Sequence, residues 1–201
     1  MFLLPVSFLF AQEQLDTVYL MSGKTVEGVV KDTSNEKLKI LIPTKGGGYK
    51  ADFIDQELIF SVKYKTGTER VFYVQDTLFG NYYSPNQVRY FLQGERDARR
   101  YYRCPMWIGG GFVAGFAGGY TNNVLGLVVP FGYSMGTLAF HVKVRRGSIA
   151  DPMNLQYSET YLMGYEKVAR QRRVMRTLVT GAMGFAAGIV VRSLVNSNAQ
   201  N

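Results

Sequence analysis

The 201-residue sequence holds one cysteine, Cys104, and one histidine, His141. A lone thiol excludes an intrachain disulfide, so stability must come from packing or from a partner. One Cys and one His leave no Cys/His metal cluster, and no histidine-based triad that omits His141. His141 sits among Val142, Lys143 and Arg145, a setting that suits an interface better than catalysis. The glycine runs at 46–48 and 109–111 lack the Gly-Lys-Ser/Thr ending of a phosphate-binding loop. Asp52, Asp55 and Glu57 cluster, but they read as a solvated turn. These absences argue against an enzyme and against a cofactor or metal site.

Charge is also missing over long stretches. No Asp, Glu, Lys or Arg occurs from Cys104 to Phe140, which is 37 residues, or from Thr177 to Val191, which is 15. The net charge of +8 is crowded into the remainder. Arg96, Arg99, Arg100 and Arg103 precede the first uncharged stretch, and Lys143, Arg145 and Arg146 follow it. Arg170, Arg172, Arg173 and Arg176 precede the second. Basic clusters abutting apolar segments suit a membrane interface, where Lys and Arg reach lipid phosphates. Anionic headgroups are therefore the first expected partner. A protein partner or self-association comes next, and nucleic acid is the lesser alternative.

Met1 to Gln12 is almost wholly apolar and ends in Ala-Gln. This resembles the apolar core and cleavage site of a secretory signal peptide lacking its basic start, and implies export. From Asp16 to Gln75 the chain alternates short apolar runs with polar or Gly turns, which predicts a β-rich module of five or six strands. That many short strands in about sixty residues suggests a small barrel that closes its own edges.

The run from Thr17 to Tyr64, with its apolar-Ser-Gly-Lys-apolar-x-Gly opening at Leu20 to Gly28, resembles an Sm-like or SH3-like barrel. The turn Asp32-Thr33-Ser34-Asn35 departs from the Asp-x-Asn loop of RNA-binding Sm proteins, so no RNA-binding residues are carried over. Gly94, Asp97, Ala98, Tyr101 and Tyr102 lie in a "G-x-x-DA-x-x-YY" pattern that follows the module and precedes Gly-rich apolar segments. In this the chain resembles uncharacterised exported bacterial envelope proteins with such a small barrel followed by Gly-rich membrane-associated helices. The resemblance implies location and architecture and brings no activity.

Ser84-Pro85-Asn86-Gln87 makes a capping box for a basic amphipathic helix over 84–103. The stretch 104–141 is long for one membrane pass and short for two, since one helix needs roughly 20 residues. Thr121-Asn122-Asn123 and Pro130 favour an apolar helical hairpin. A second basic helix, 158–195, runs into the C-terminal apolar segment. "ERDAR…AGFAGG" from Glu95 echoes "EKVAR…MGFAAG" from Glu166, a weak hint of duplication. Glycines recur four apart at Gly111, Gly115 and Gly119, at Gly132 and Gly136, and at Gly184 and Gly188, which marks them as helix-packing positions.

The expected fold is α+β: a small N-terminal β-barrel, then basic amphipathic helices and Gly-rich apolar membrane helices. The expected function is that of a membrane-anchored structural or interaction protein of the bacterial cell envelope. The β module would be its recognition head and the Gly-rich helices its anchor and assembly surface. The alternative is a nucleic-acid binder using the basic helices and the Sm-like barrel. One tension is internal to the sequence. A hairpin leaves all basic clusters on the side of the β module, which the positive-inside rule makes cytoplasmic and the signal peptide makes extracytoplasmic.

Overall fold

The computed structural model describes residues 15–33, 36–78, 80–121, 124–144 and 158–198. The signal-peptide expectation for Met1 to Gln12, and the basic residues Arg145 and Arg146, lie outside them. The chain divides into two compact units, Met1–Pro85 and Asn86–Asn201.

In the first unit, six strands form one antiparallel sheet. They are β1 (Asp16–Leu20), β2 (Thr25–Asp32), β3 (Lys37–Pro43), β4 (Tyr49–Asp55), β5 (Ile59–Lys63) and β6 (Glu69–Val71), in the order β4-β3-β2-β1-β5-β6. Gly23 and Gly67 turn two of the hairpins at φ 72° and 87°, where a side chain would be strained. β2 changes partner midway: Thr25 to Gly28 pair with β1, and Val29 onward pairs with β3. At that changeover a Cβ on Gly28 would overlap the Leu41 carbonyl oxygen, so only glycine lets β3 approach.

Val18, Leu38, Ile40, Ile59 and Val62 form the core of this unit. Alternation explains them: Lys37, Lys39 and Leu38, Ile40 point to opposite faces of β3. The buried Asp16 carboxylate accepts the Val30 and Lys65 N–H groups, each at 2.9 Å, and so ties β1 to β2 and to the β5–β6 turn.

The sheet is open, so the closed barrel expected from the strand count is not present. Its outer strands explain why. β4 is exposed along its length except at Ile54, and β6 has three residues, all exposed. On the face of β4 that continues the core, opposite Leu38, Ile40 and Ile42, stand Ile54, Asp52 and Lys50, so only Ile54 is apolar there. β6 also stops at Val71 because Phe72 and Tyr73 both donate to the single Phe60 carbonyl, which breaks the ladder.

The second unit is helical. Its elements are α1 (Pro85–Tyr101), α2 (Pro105–Thr121), a 3-10 turn Val124–Leu127, α3 (Val128–Gly136), a 3-10 turn Thr137–Ala139 and α4 (Glu159–Asn198). The first uncharged stretch folds back on itself. Gly118 lies against Gly126, and the Tyr133 hydroxyl donates to the Trp107 carbonyl at 3.3 Å, so α3 runs antiparallel to α2. α4 has 40 residues and is about 60 Å long at 1.5 Å per residue. Its first half packs Tyr161, Tyr165, Val168 and Ala169 on Ala98 and Val142, and its second half packs on α2 and α3.

Candidate functional site: a glycine seam, an arginine end and an apolar surface

Helices with side chains between them lie 8–10 Å apart, and closer approach needs glycine at the contact. Along α2 and α4 that condition is met repeatedly. A Cβ at Gly115 would overlap the Gly181 carbonyl oxygen, and one at Gly119 would overlap that of Phe185. A Cβ at Gly111 would lie 2.8 Å from the Thr177 carbonyl oxygen. In return, Gly184 and Gly188 meet the carbonyl oxygens of Phe112 and Phe116. Thr180 adds a hydrogen bond to the Ile108 carbonyl at 3.1 Å.

Five of the seven predicted packing glycines thus lie in one seam inside the chain. Gly132 and Gly136 do not, for a Cβ at either would meet nothing within 4 Å. The reason is that α3 presents Pro130 and Ser134 inward, as the 3-10 turn after it presents Thr137, and turns those glycines outward. Sequence reasoning named Gly94 only within the G-x-x-DA-x-x-YY pattern and missed Gly164; the two make the same close approach between α1 and α4 against the carbonyls of Tyr161 and Phe91. It also missed Gly181, which packs on Pro130.

The basic residues have unequal surroundings. The last carbonyls of any helix lack intrahelical partners, and arginine can satisfy them while opposing the helix dipole. α4 supplies such arginines to each of its neighbours. Arg172 donates to the Arg99 carbonyl and Arg176 to the Tyr102 carbonyl, both at the end of α1. Arg173 donates to the Phe140 carbonyl at 2.6 Å, beyond α3, and Arg192 to the Tyr120 carbonyl at 2.7 Å, at the end of α2. Arg173 is 2% exposed and lies 5.2 Å from the Trp107 ring centre, so it cannot face headgroups as it stands. Arg170 pairs with Glu166 at 2.7 Å, Arg99 lies 3.6 Å from Glu95, and Arg96 bonds the Leu92 carbonyl. Arg100 lies over Tyr101, while Arg103 and Lys143 are exposed beside the apolar bundle.

A buried polar cluster joins α1 to α4, and nothing in the local sequence pointed to it except the Glu95/Arg99 spacing. Glu95 is 1% exposed and accepts Lys167 Nζ at 2.8 Å. The Tyr161 hydroxyl donates to Asp97 Oδ2 at 2.8 Å. Burial, then the Asp97 hydrogen bond and charge, push the Tyr161 phenol well above its ordinary value. Burial likewise raises Tyr102, against the opposing pull of Arg173 and Arg176. Burial alone would raise Glu166, but Arg170, His141 and the Val142 N–H outweigh it and hold the carboxyl below its ordinary range.

The apolar surface of the second unit is largely uncovered. α4 is long and apolar enough to cross a membrane, and only 17% of its most apolar 18-residue window is buried. Met106, Val113, Leu125, Val128, Phe131, Met183, Val190 and Leu194 are all more than half exposed, and they lie on α2, the 3-10 turn, α3 and α4 alike. A soluble monomer rarely leaves so much contiguous apolar surface in water.

Among the described residues no group of three or more His, Cys, Asp or Glu is placed to hold a metal ion. Asp52 and Glu57 are exposed, and Asp55 pairs with Lys37 at 3.3 Å on the surface. No family model, no curated protein and no solved structure matches the chain.

Proposed function

We propose that this chain is a membrane-anchored structural or interaction protein of the bacterial cell envelope. The helical unit is its anchor and the β module its recognition head. The single observation that carries the reading is the exposed apolar surface of α2, α3 and α4, bounded by Arg103, Lys143, Arg173 and Arg176 at one end and by Arg192 at the other. Lipid removes that surface from water, while Arg103 and Lys143 suit anionic headgroups. The apolar run Met1–Gln12 supports export to the envelope. The uncovered edges of β4 and β6, with Tyr49 and Phe53 exposed on β4, are where an added strand or a protein partner would pair.

Nucleic-acid binding draws little support from the same geometry. Arg170, Arg172, Arg173, Arg176 and Arg192 are held by a carboxylate or by carbonyls of the chain itself, and the exposed Arg103 and Lys143 adjoin apolar surface that suits lipid better than a polyanion. The test is fractionation of the native host followed by an alkaline carbonate wash. The chain should stay in the membrane pellet. Recovery in the soluble fraction, with salt-dependent RNA affinity, would overturn the proposal.

A further inference from the structure

The close contacts of the helical unit come in exchanged pairs. Gly115 meets Gly181, and Gly184 meets Phe112: adding 69 to Gly115 and subtracting 69 from Gly181 turns the first contact into the second. The same shift turns Gly119–Phe185 into Gly188–Phe116, and Gly111–Thr177 into Thr180–Ile108. In α1 a shift of 70 turns Gly94–Tyr161 into Gly164–Phe91. Contacts that exchange in this way are what a two-fold axis produces when i touches j and j touches i. Here the axis relates α1 plus α2 to α4, and the partner positions ascend together, so the paired segments run parallel. The change from 70 to 69 falls where α1 and α2 are separated by Tyr102 to Cys104 while α4 continues. The Gly-Phe-Ala echo at 115–117 and 184–186 lies on the shift of 69, whereas the ERDAR/EKVAR echo is at 71, out of the contact register.

Parallel pairing constrains how the apolar bundle meets a bilayer. α2 and the second half of α4 both lead away from the arginine-rich end, and α3 returns toward it. The two ends of the bundle also differ in kind. At the first end Trp107 packs against Phe140 and Tyr133, beside Arg173, with exposed Lys143 and Arg103 nearby in sequence. At the other end Tyr120 stacks on Phe116 and its carbonyl holds Arg192. Aromatic rings and arginines at both ends mark two interfaces. Between them α2 has 17 residues, about 25 Å, and Arg176 lies 16 residues before Arg192, about 24 Å. That is somewhat short of a hydrocarbon core of about 30 Å, a gap that snorkelling and local thinning cover. A re-entrant turn ending inside the core would hold the Arg192 guanidinium in lipid, the costliest place for it.

We infer that the bundle crosses the bilayer three times, with α2 and α4 in one direction and, in the other, α3 together with its two flanking 3-10 turns, Val124 to Ala139, which extend about 27 Å where α3 alone extends about 14 Å. The arginine end then lies at one face, and the α2–α3 turn and Ser197 at the opposite face. This rests on the membrane reading above, and the test separates the two. In the full chain, Cys104→Ser removes the native thiol, and a single cysteine is placed at Lys143, Thr121 or Ser197. Sealed membrane vesicles are treated with a membrane-impermeant maleimide before and after opening. The expected result is that Lys143→Cys reacts from one side, and Thr121→Cys and Ser197→Cys only from the other. A chain that resists carbonate but reacts at all three positions from one side overturns the three crossings and leaves the anchor reading standing. Release by carbonate overturns both. Epitopes placed singly after Lys143, after Thr121 and after Asn201, read by protease protection with Cys104 intact, give the same answer should the thiol-free chain misfold: cleavage of all three from one side overturns the inference.

Discussion

Replacing Gly115 by alanine places a methyl group over the Gly181 carbonyl oxygen, with the carbonyl carbon 2.7 Å and the Gly181 Cα 2.9 Å away. The oxygen itself lies 1.9 Å away and ordinary contact begins at 3.4 Å, so α2 and α4 must part by as much as 1.5 Å (3.4 − 1.9) at that point. The obstacle is backbone inside a helix and cannot swing aside. Overpacking of this kind costs about 1–3 kcal/mol, against about 1 kcal/mol regained because alanine favours the helix over glycine. A net loss of up to about 2 kcal/mol is expected, and its exchanged partner Gly184→Ala should lose a similar amount. Gly132→Ala is the matched control. It makes the same chemical change on an apolar helix of the same unit, but with nothing within 4 Å, and should gain about 0.5–1 kcal/mol from propensity alone. Denaturant midpoints of the full chain in mild detergent would read the difference in sign. Equal midpoints for Gly115→Ala and Gly132→Ala would refute the seam.

The polar cluster predicts an asymmetry. Lys167→Met should cost about 2 kcal/mol, because it leaves the buried Glu95 carboxylate short of a partner, and more than Glu95→Gln, since the Lys167 side chain is 64% exposed and water can serve it. Tyr161→Phe should cost about 1–3 kcal/mol by removing a donor from the buried Asp97, measured by the same midpoints. Glu166 is held below its ordinary value of 4.5, so its contribution is present above that pH and lost as pH falls through its lowered value. The stability difference between wild type and Glu166→Gln should therefore shrink in acid, and a difference that stays constant below pH 4.5 would contradict the pairing with Arg170.

How far the sequence could be read differs between the two units. The strands were legible because residues such as Leu38 and Ile40 alternate with Lys37 and Lys39. The edges were not, since closure depends on how much apolar face β4 and β6 carry together, which strand count does not reveal. The glycine spacing could not name what covers each position: Gly132 and Gly136 hold the same interval as Gly115 and Gly119 and meet open space. The arginines were read from their neighbours in sequence, as residues flanking apolar runs. For Arg172, Arg173, Arg176 and Arg192 the partners are carbonyls 33 to 74 residues away, which only the packing of α4 on the other helices brings within reach. The exchange of contacts was faint in the sequence because the ERDAR/EKVAR echo, at a shift of 71, is out of register with the contacts, which exchange at 69 and 70.

Trp107 is the only tryptophan, and it lies in α2 at the arginine end of the bundle. Its fluorescence therefore reports one depth. With the full chain reconstituted in vesicles, lipids brominated near the headgroup or near the acyl-chain ends can be compared with iodide in the water. The membrane-anchor account predicts quenching by bromine, strongest from the headgroup-proximal position, and little by iodide. Quenching by iodide with none from either brominated lipid would contradict it.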